Sequence, residues 1–176
     1  MTASARRPDS TAVFRIICAI ARQGGKTNFA PLLMKTALSA SVEITPIFGD
    51  ADPMGVVWHG NYFRYLEAAR SALLQKLGYD YREMDASGYV WPIVETRMKY
   101  IAPVTFGQTI RVVATLREYE NRLIIDYEIF DADGHRTTKA ETKQIAINKQ
   151  TRQMCFASPP DAVEKIRKLS EETEKQ

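Results

Sequence analysis

The stretch Phe48-Gly-Asp-Ala-Asp-Pro-Met-Gly-Val-Val-Trp-His-Gly-Asn-Tyr62, with the amphipathic run that follows it to Leu77, decides the fold of this 176-residue chain. It reads as a strand end, a tight loop carrying two carboxylates, and the start of a long helix. Asp52 precedes Pro53, which biases it away from the α region towards extended backbone. Gly55 gives the chain freedom to turn. Val56-Val57-Trp58 then leads into His59, Gly60 and Asn61, where a helix can begin. A carboxylate near a helix N-terminus sits beside unpaired backbone N–H groups and the positive end of the helix dipole. That combination places a nucleophile or base next to a site for an oxyanion.

Working outward, Tyr62, Tyr65, Leu66, Ala69, Leu73 and Leu77 follow the spacing of one buried helical face,. Arg64, Glu67, Arg70 and Gln75 fall mostly on other sides, and Gly78 is a C-terminal stop,. Upstream, Ser41 to Phe48 reads as a short strand in which Pro46 marks an edge or a bend. Downstream, a helical turn is predicted over 82–86, followed by strands over 89–102, 109–119, 122–130 and 137–148. Asp133-Gly134 marks a hairpin. The strand over 137–148 is polar for a central position, so part of it is expected to face solvent or a partner. Pro159-Pro160 breaks the chain before a short amphipathic helix over 161–172 with Val163, Ile166 and Leu169 inward. The predicted order is strand, long helix, then four strands in meander. This is an α+β layout, one antiparallel sheet wrapped around one long central helix. Such a layer leaves a face or edge for a second copy, so the protein is expected to form dimers.

The formal net charge of +3 is unevenly spread. Residues 1–33 hold Arg6, Arg7, Arg15, Arg22 and Lys26 against Asp9 alone, a net +4, which leaves about −1 on the other 143 residues. The near-neutral remainder argues against a nucleic-acid binder. Residues 1–33 have the arginine-rich, acid-poor character of a targeting segment or of an extension foreign to the domain. The second reading is preferred, with a single domain over 34–176. Cys18 and Cys155 form neither a disulfide framework nor a metal spacing, which fits reduced thiols in a cytoplasmic protein,. No apolar run approaches the ~20 residues of a membrane span.

The motif Asp50-x-Asp52-x-x-Gly55, followed by Trp58-His59-Gly60-Asn61-Tyr62 and then Tyr65-Leu-Glu67 and Ala69-Arg70, resembles the hotdog-fold acyl-CoA thioesterases of the 4-hydroxybenzoyl-CoA thioesterase class. It is also similar to their relatives associated with the Tol-Pal envelope system. The resemblance covers about residues 40–165 and implies a hotdog fold and hydrolysis of an acyl or aroyl thioester. On it, Asp52 is the catalytic carboxylate, attacking the thioester carbonyl or activating water. The backbone N–H that polarises the carbonyl falls on His59. The family's pocket lies between protomers of a homodimer or homotetramer, and a basic cluster that binds CoA phosphates maps to Arg117-Glu-Tyr-Glu-Asn-Arg122. Arg117 and Arg122 keep their charge there, but Glu120 and Asn121 replace two arginines of the pattern. A carboxylate near phosphate costs affinity. The carrier implied is therefore CoA or an acyl carrier protein, which presents the same phosphopantetheine arm without the nucleotide.

Plainer roles stand beside these. Asp52 can simply cap its own turn, as many Asp-x-x-Gly segments do. Asp50 reads as structural, orienting the loop through backbone N–H groups. The His59 side chain either assists proton transfer or only lines the site. Trp58, Gly60 and Tyr62 are candidate substrate contacts, although aromatics on a buried stripe, Tyr65 and Trp91 included, are more often core. Glu67 either faces the site or pairs with Arg64 or Arg70. His135 reads as an exposed turn residue. No metal or organic cofactor is implied by two histidines, unspaced cysteines and no phosphate-cradling loop. Two alternatives remain open, a dehydratase of acyl thioesters on the same fold and a non-catalytic acyl-thioester-binding protein.

Overall fold

The computed structural model describes residues 38–174, so the basic segment 1–33, Cys18 and the boundary at residue 34 lie outside the described residues. Strand β1 (Ser39–Ile44) leads through a loop into helix α1 (Tyr62–Lys76), short helix α2 (Tyr81–Ala86), strands β2 (Tyr89–Val90), β3 (Ile93–Tyr100), β4 (Ile110–Glu118), β5 (Leu123–Phe130), β6 (Arg136–Gln144) and β7 (Ile147–Asn148), and helix α3 (Pro160–Glu174). Five strands form one antiparallel sheet in the order β1-β4-β5-β6-β3, and β2 pairs with β7 beside it.

Helix α1 forms where its periodicity places it. Tyr62, Tyr65, Leu66, Ala69, Leu73 and Leu77 are all buried, joined by Leu74. The helix packs chiefly on β1 and β4. The core opposite is built from alternate residues of the sheet, Ile110, Val112, Ala114 and Leu116 on β4 and Leu123, Ile125, Tyr127 and Ile129 on β5. Gly78 ends the helix at φ +64°. Tyr79 N–H donates to the Leu74 carbonyl at 3.1 Å and Gly78 N–H to that of Gln75 at 3.0 Å, the paired bonds of a Schellman cap,.

Several expectations are corrected. The first strand stops at Ile44, because the Ile47 N–H beyond Pro46 is taken by the Asp50 carboxylate at 3.2 Å and the chain turns into a 3₁₀ turn at Phe48–Asp50. The strand over 89–102 divides at Trp91-Pro92, where proline cannot donate to a ladder and Trp91 turns inward,. The four later strands are not one meander. Only β4, β5 and β6 run consecutively, and β3 lies at the far edge, paired with β6. Strand β6 ends at Gln144 and occupies an interior position. Its polar residues are accommodated on both faces. Thr138, Thr142 and Gln144 are buried, while Lys143 pairs with Glu95 at 2.8 Å and Glu141 with Arg117 on the other face. Helix α3 starts at Pro160 and buries Ala162 and Ile166, with Val163 and Leu169 only half-buried.

Arg70 is the other correction. It is buried, not on an outer side of α1. A buried charge requires partners, and Arg70 has two. Its guanidinium pairs with Glu67 one turn earlier and donates to the Tyr81 hydroxyl at 3.0 Å. Tyr81 in turn donates to Glu67 at 2.6 Å, closing a triad that ties α1 to α2. Partial burial raises the Glu67 pKa, but the hydrogen bonds from Arg70 and Tyr81 and the charge of Arg70 outweigh it and hold the carboxyl below its ordinary value. A carboxyl depressed in the folded state contributes stability at neutral pH that is lost as pH falls through its folded-state value. Glu67→Gln is therefore expected to lower the urea midpoint at pH 7 and to flatten its decline below about pH 4.3, the ordinary glutamate value. Urea titrations of the two proteins across that range check this.

Candidate active site

The loop between β1 and α1 lies across one end of the sheet. The connection over 101–109 must cross from the β3 edge to β4, and the loop packs on it. Val57 N–H donates to the Val104 carbonyl at 2.8 Å, Val56 bridges Thr105, and Gly107 N–H reaches the Pro46 carbonyl at 3.0 Å. Within the loop, Asp50 is the hub and is 2% exposed. Its carboxylate accepts from Ile47 N–H at 3.2 Å, the Tyr65 hydroxyl at 2.8 Å and Arg64 Nη2 at 2.9 Å. Its backbone carbonyl accepts from Trp58 N–H at 2.8 Å and Asn61 Nδ2 at 3.0 Å. One residue thus joins the strand end, the loop and the first two turns of the helix. Burial, and next the bond to Asp50, push the Tyr65 hydroxyl pKa up, so it remains a donor. The structural reading of Asp50 agrees with this geometry.

Asp52, two residues on, is differently placed. It is half-buried, and its Oδ1 accepts from Met54 N–H at 2.8 Å. Its main chain closes the same tight turn, with Asp52 N–H to the Val56 carbonyl at 2.8 Å and Gly55 N–H to the Asp52 carbonyl at 2.9 Å. Gly55 has φ +79°, the left-handed conformation that glycine adopts most readily,. Asp52 Oδ2 has no donor among the described residues. The turn-capping role of Asp52 is therefore real, and it leaves one carboxylate oxygen for other work.

The helix begins as a 3₁₀ turn at His59–Asn61 that runs into α1. Its leading N–H groups have no acceptor inside the helix. The His59 side chain is exposed and lies tilted against the Trp58 indole, with ring centroids 4.9 Å apart and planes at 50°. Trp58 is about half-exposed and lies over Gly60, where a Cβ would meet the indole at 2.1 Å. A side chain at position 60 would require the half-exposed indole to swing aside. Tyr62 is 3% exposed, and its ring packs on Tyr65 and Tyr100, so it belongs to the core of the protomer.

The remaining candidates are not gathered here. Glu67 sits in the Arg70–Tyr81 triad with half its side chain exposed. Arg117 is held on the outer sheet face by Asp126 at 3.0 Å and by Glu141. Arg122 is half-exposed and only loosely paired with Glu118 at 3.4 Å. Arg117, near the end of β4, and Arg122, in the turn that follows, lie at the end of the sheet where Leu123 faces Gln144, opposite the end where Ile44 faces Ile110 and the loop begins. Asp131, Asp133 and His135 cluster at the β5–β6 hairpin, but Asp131 Oδ1 is already occupied by the Asp133 and His135 N–H groups, and His135 is an exposed turn residue. Sequence reasoning missed the Asn61 amide and the Tyr65 and Tyr100 hydroxyls as loop ligands. Periodicity marks such residues as core and is silent on where their polar ends go.

Residues 47–171 match the family model of the thioesterase-like superfamily, and the chain belongs to that superfamily. A Bacillus subtilis protein named as a candidate acyl-CoA thioesterase is 30% identical over 110 residues, covering 62% of this chain and 80% of that one. A Pseudomonas 4-hydroxybenzoyl-CoA thioesterase is 25% identical over 126 residues, 66% of this chain and 89% of that one. The crystal structure of the DHNA-CoA thioesterase from Staphylococcus aureus superposes with a TM-score of 0.65 at 29% identity, covering 76% of this chain and 94% of that one. The expected hotdog fold is the fold the chain has.

The two aspartates separate by phenotype. Asp50→Asn is expected to cost about 2–3 kcal/mol, because a buried charged acceptor becomes an amide facing donors. Asp52→Asn, which keeps the turn-capping oxygen, is expected to stay within about 0.5 kcal/mol of wild type. Denaturant unfolding of both variants measures the difference.

Proposed function

We propose that the chain hydrolyses acyl- or aroyl-CoA thioesters to a carboxylic acid and the free thiol, with Asp52 as the catalytic carboxylate. The observation that carries this is the free Asp52 oxygen in a rigid loop, close in sequence to the unpaired N–H groups that open α1, in a chain of the thioesterase-like superfamily. Asp52 attacks the thioester carbonyl carbon or removes a proton from the water that does. The carbonyl oxygen becomes an oxyanion, received by the His59 N–H and the helix dipole. Collapse expels the thiolate, which takes up a proton; where Asp52 itself attacks, water then hydrolyses the acyl–aspartyl anhydride, releasing the acid and restoring the carboxylate. Water is consumed overall, one C–S bond is broken and one C–O bond is formed.

In this reading the site is completed by a second copy. Two concavities among the described residues do not involve the loop. One, of about 390 Å³, lies between α2 and α3, and the other, of about 250 Å³, on the outer face of β3 and β6. Strand β3 is an edge, and Ile93, Val94 and Tyr100 on it are exposed, as are Trp58 and Phe63 nearby in the fold. A free edge is a template for another strand. Antiparallel β3–β3 pairing about a two-fold axis sets the Ile93 end of one protomer beside the Tyr100 end of the other. The partner's turn at residues 118–122 is then brought towards this protomer's loop. Arg117 is held by Asp126 and Glu141, so Arg122, paired only loosely with Glu118, is the arginine better able to meet the carrier's phosphate. Glu118 and Glu120 beside it weaken that contact, which favours a carrier held largely by its phosphopantetheine arm, whether CoA or an acyl carrier protein.

Thiol release from benzoyl-, short-chain and long-chain acyl-CoAs by the full chain, with Asp52→Asn alongside, tests the proposal. Wild type is expected to turn over at least one of them, and the variant to lose about 10²-fold or more in kcat, some 3 kcal/mol of barrier. Wild type silent on CoA and acyl carrier protein thioesters alike would favour the non-catalytic binder. An enoyl product without free thiol would favour the dehydratase.

A further inference from the structure

We infer that Tyr100 is a positioning residue for the oxyanion site, its hydroxyl fixing the His59–Gly60 peptide unit next to the His59 N–H at the opening of α1. This rests on the thioesterase reading above. The Tyr100 hydroxyl donates to the His59 carbonyl at 3.2 Å across 41 positions of sequence. That carbonyl and the Gly60 N–H belong to one peptide unit, so donation into the oxygen polarises the N–H on the far side. The preceding unit, which carries the His59 N–H, is held separately, since the Trp58 carbonyl accepts from Asn61 N–H at 2.9 Å. Both units at the helix opening are thereby oriented, one from within the turn and one by Tyr100.

The tyrosine is itself held from one side. Its ring meets that of buried Tyr62 edge-on, with centroids 5.0 Å apart and planes at 77°. Partial burial pushes its hydroxyl above the ordinary tyrosine pKa, so it stays a neutral donor. Tyr100 also closes the edge strand β3, with 46% of its surface exposed. Any strand added along that edge restrains the residue that orients the His59–Gly60 peptide unit beside the oxyanion donor. The Tyr100 hydroxyl thus couples the helix opening to the edge. The bond is longer than the ~2.7–2.8 Å typical of O–H···O contacts, which sets the size of the expected effect.

Tyr100→Phe keeps the ring against Tyr62 and removes only the donor. Steady-state kinetics on the preferred CoA thioester are expected to show kcat reduced about five- to tenfold with KM within about twofold, short of the ~10²–10³ for loss of a direct oxyanion donor. The thermal midpoint is expected to hold. A second readout uses the uncleaved thioester bound to Asp52→Asn, whose carbonyl stretch should move towards its value in free solution when Tyr100→Phe is added. Unchanged kcat, or a rise in KM alone with an unmoved carbonyl stretch, overturns the inference while leaving the thioesterase reading intact. A wild type that hydrolyses no thioester removes that reading and this inference with it.

Discussion

The geometry of the loop depends on the burial of one carboxylate. Asp50 is nearly inaccessible, and a charge taken out of water is tolerated only when donors replace the solvent. Here they are a backbone N–H from the strand end, a tyrosine hydroxyl and an arginine from the helix. The same residue's carbonyl gathers Trp58 N–H and the Asn61 amide. Because these groups come from three segments, none can move without leaving a buried charge or donor unsatisfied. The loop is tied to the strand end and the helix through Asp50, and Asp52 adds only its bond to Met54 N–H. Two carboxylates a single residue apart are thus given opposite tasks by their surroundings, one fully bonded and one with an oxygen to spare.

The sheet order sets where this loop can act. Strand β3 crosses to the far edge, so the connection over 101–109 must run past the sheet end, and that connection is what the loop rests on. The same crossing leaves β3 with a free side, closed at one end by Tyr100. The loop, the helix opening and the free edge meet at one corner of the protomer. Arg117 near the end of β4 and Arg122 in the turn after it sit at the other end of the strands, so a site that uses them together with Asp52 draws on two copies.

The sequence announced most of the helical architecture because its signals are local. The spacing from Tyr62 to Leu77 and the glycine at 78 suffice for α1 and its cap. The Asp133-Gly134 turn, with Gly134 at φ +81°, sits between β5 and β6 as expected. What was illegible is lateral. Alternation says which residues of a strand face the core but not which strand lies beside it, so β3 read as the start of a meander. Arg70 follows Ala69 directly on the buried stripe, yet its charge argued for solvent, because the groups that neutralise it, Glu67 and Tyr81, come from one turn back and from the next helix. Likewise Tyr65 and Tyr100 read as hydrophobic pattern, and only the fold shows their hydroxyls at the loop. For the candidate site, the Asp50–Asp52 division was readable from the motif and its resemblance. Tyr62, a candidate substrate contact from the sequence, has its ring in the core beside Tyr65 and Tyr100.

The most direct test of the account is a crystal structure of Asp52→Asn holding an uncleaved CoA thioester. The account predicts the thioester carbonyl oxygen within hydrogen-bond reach of the His59 N–H, the carbonyl carbon against the residue-52 side chain, and the ligand lying between two protomers paired along β3. A thioester bound away from the helix opening, or enclosed by one protomer with its carbonyl turned from those N–H groups, would contradict it.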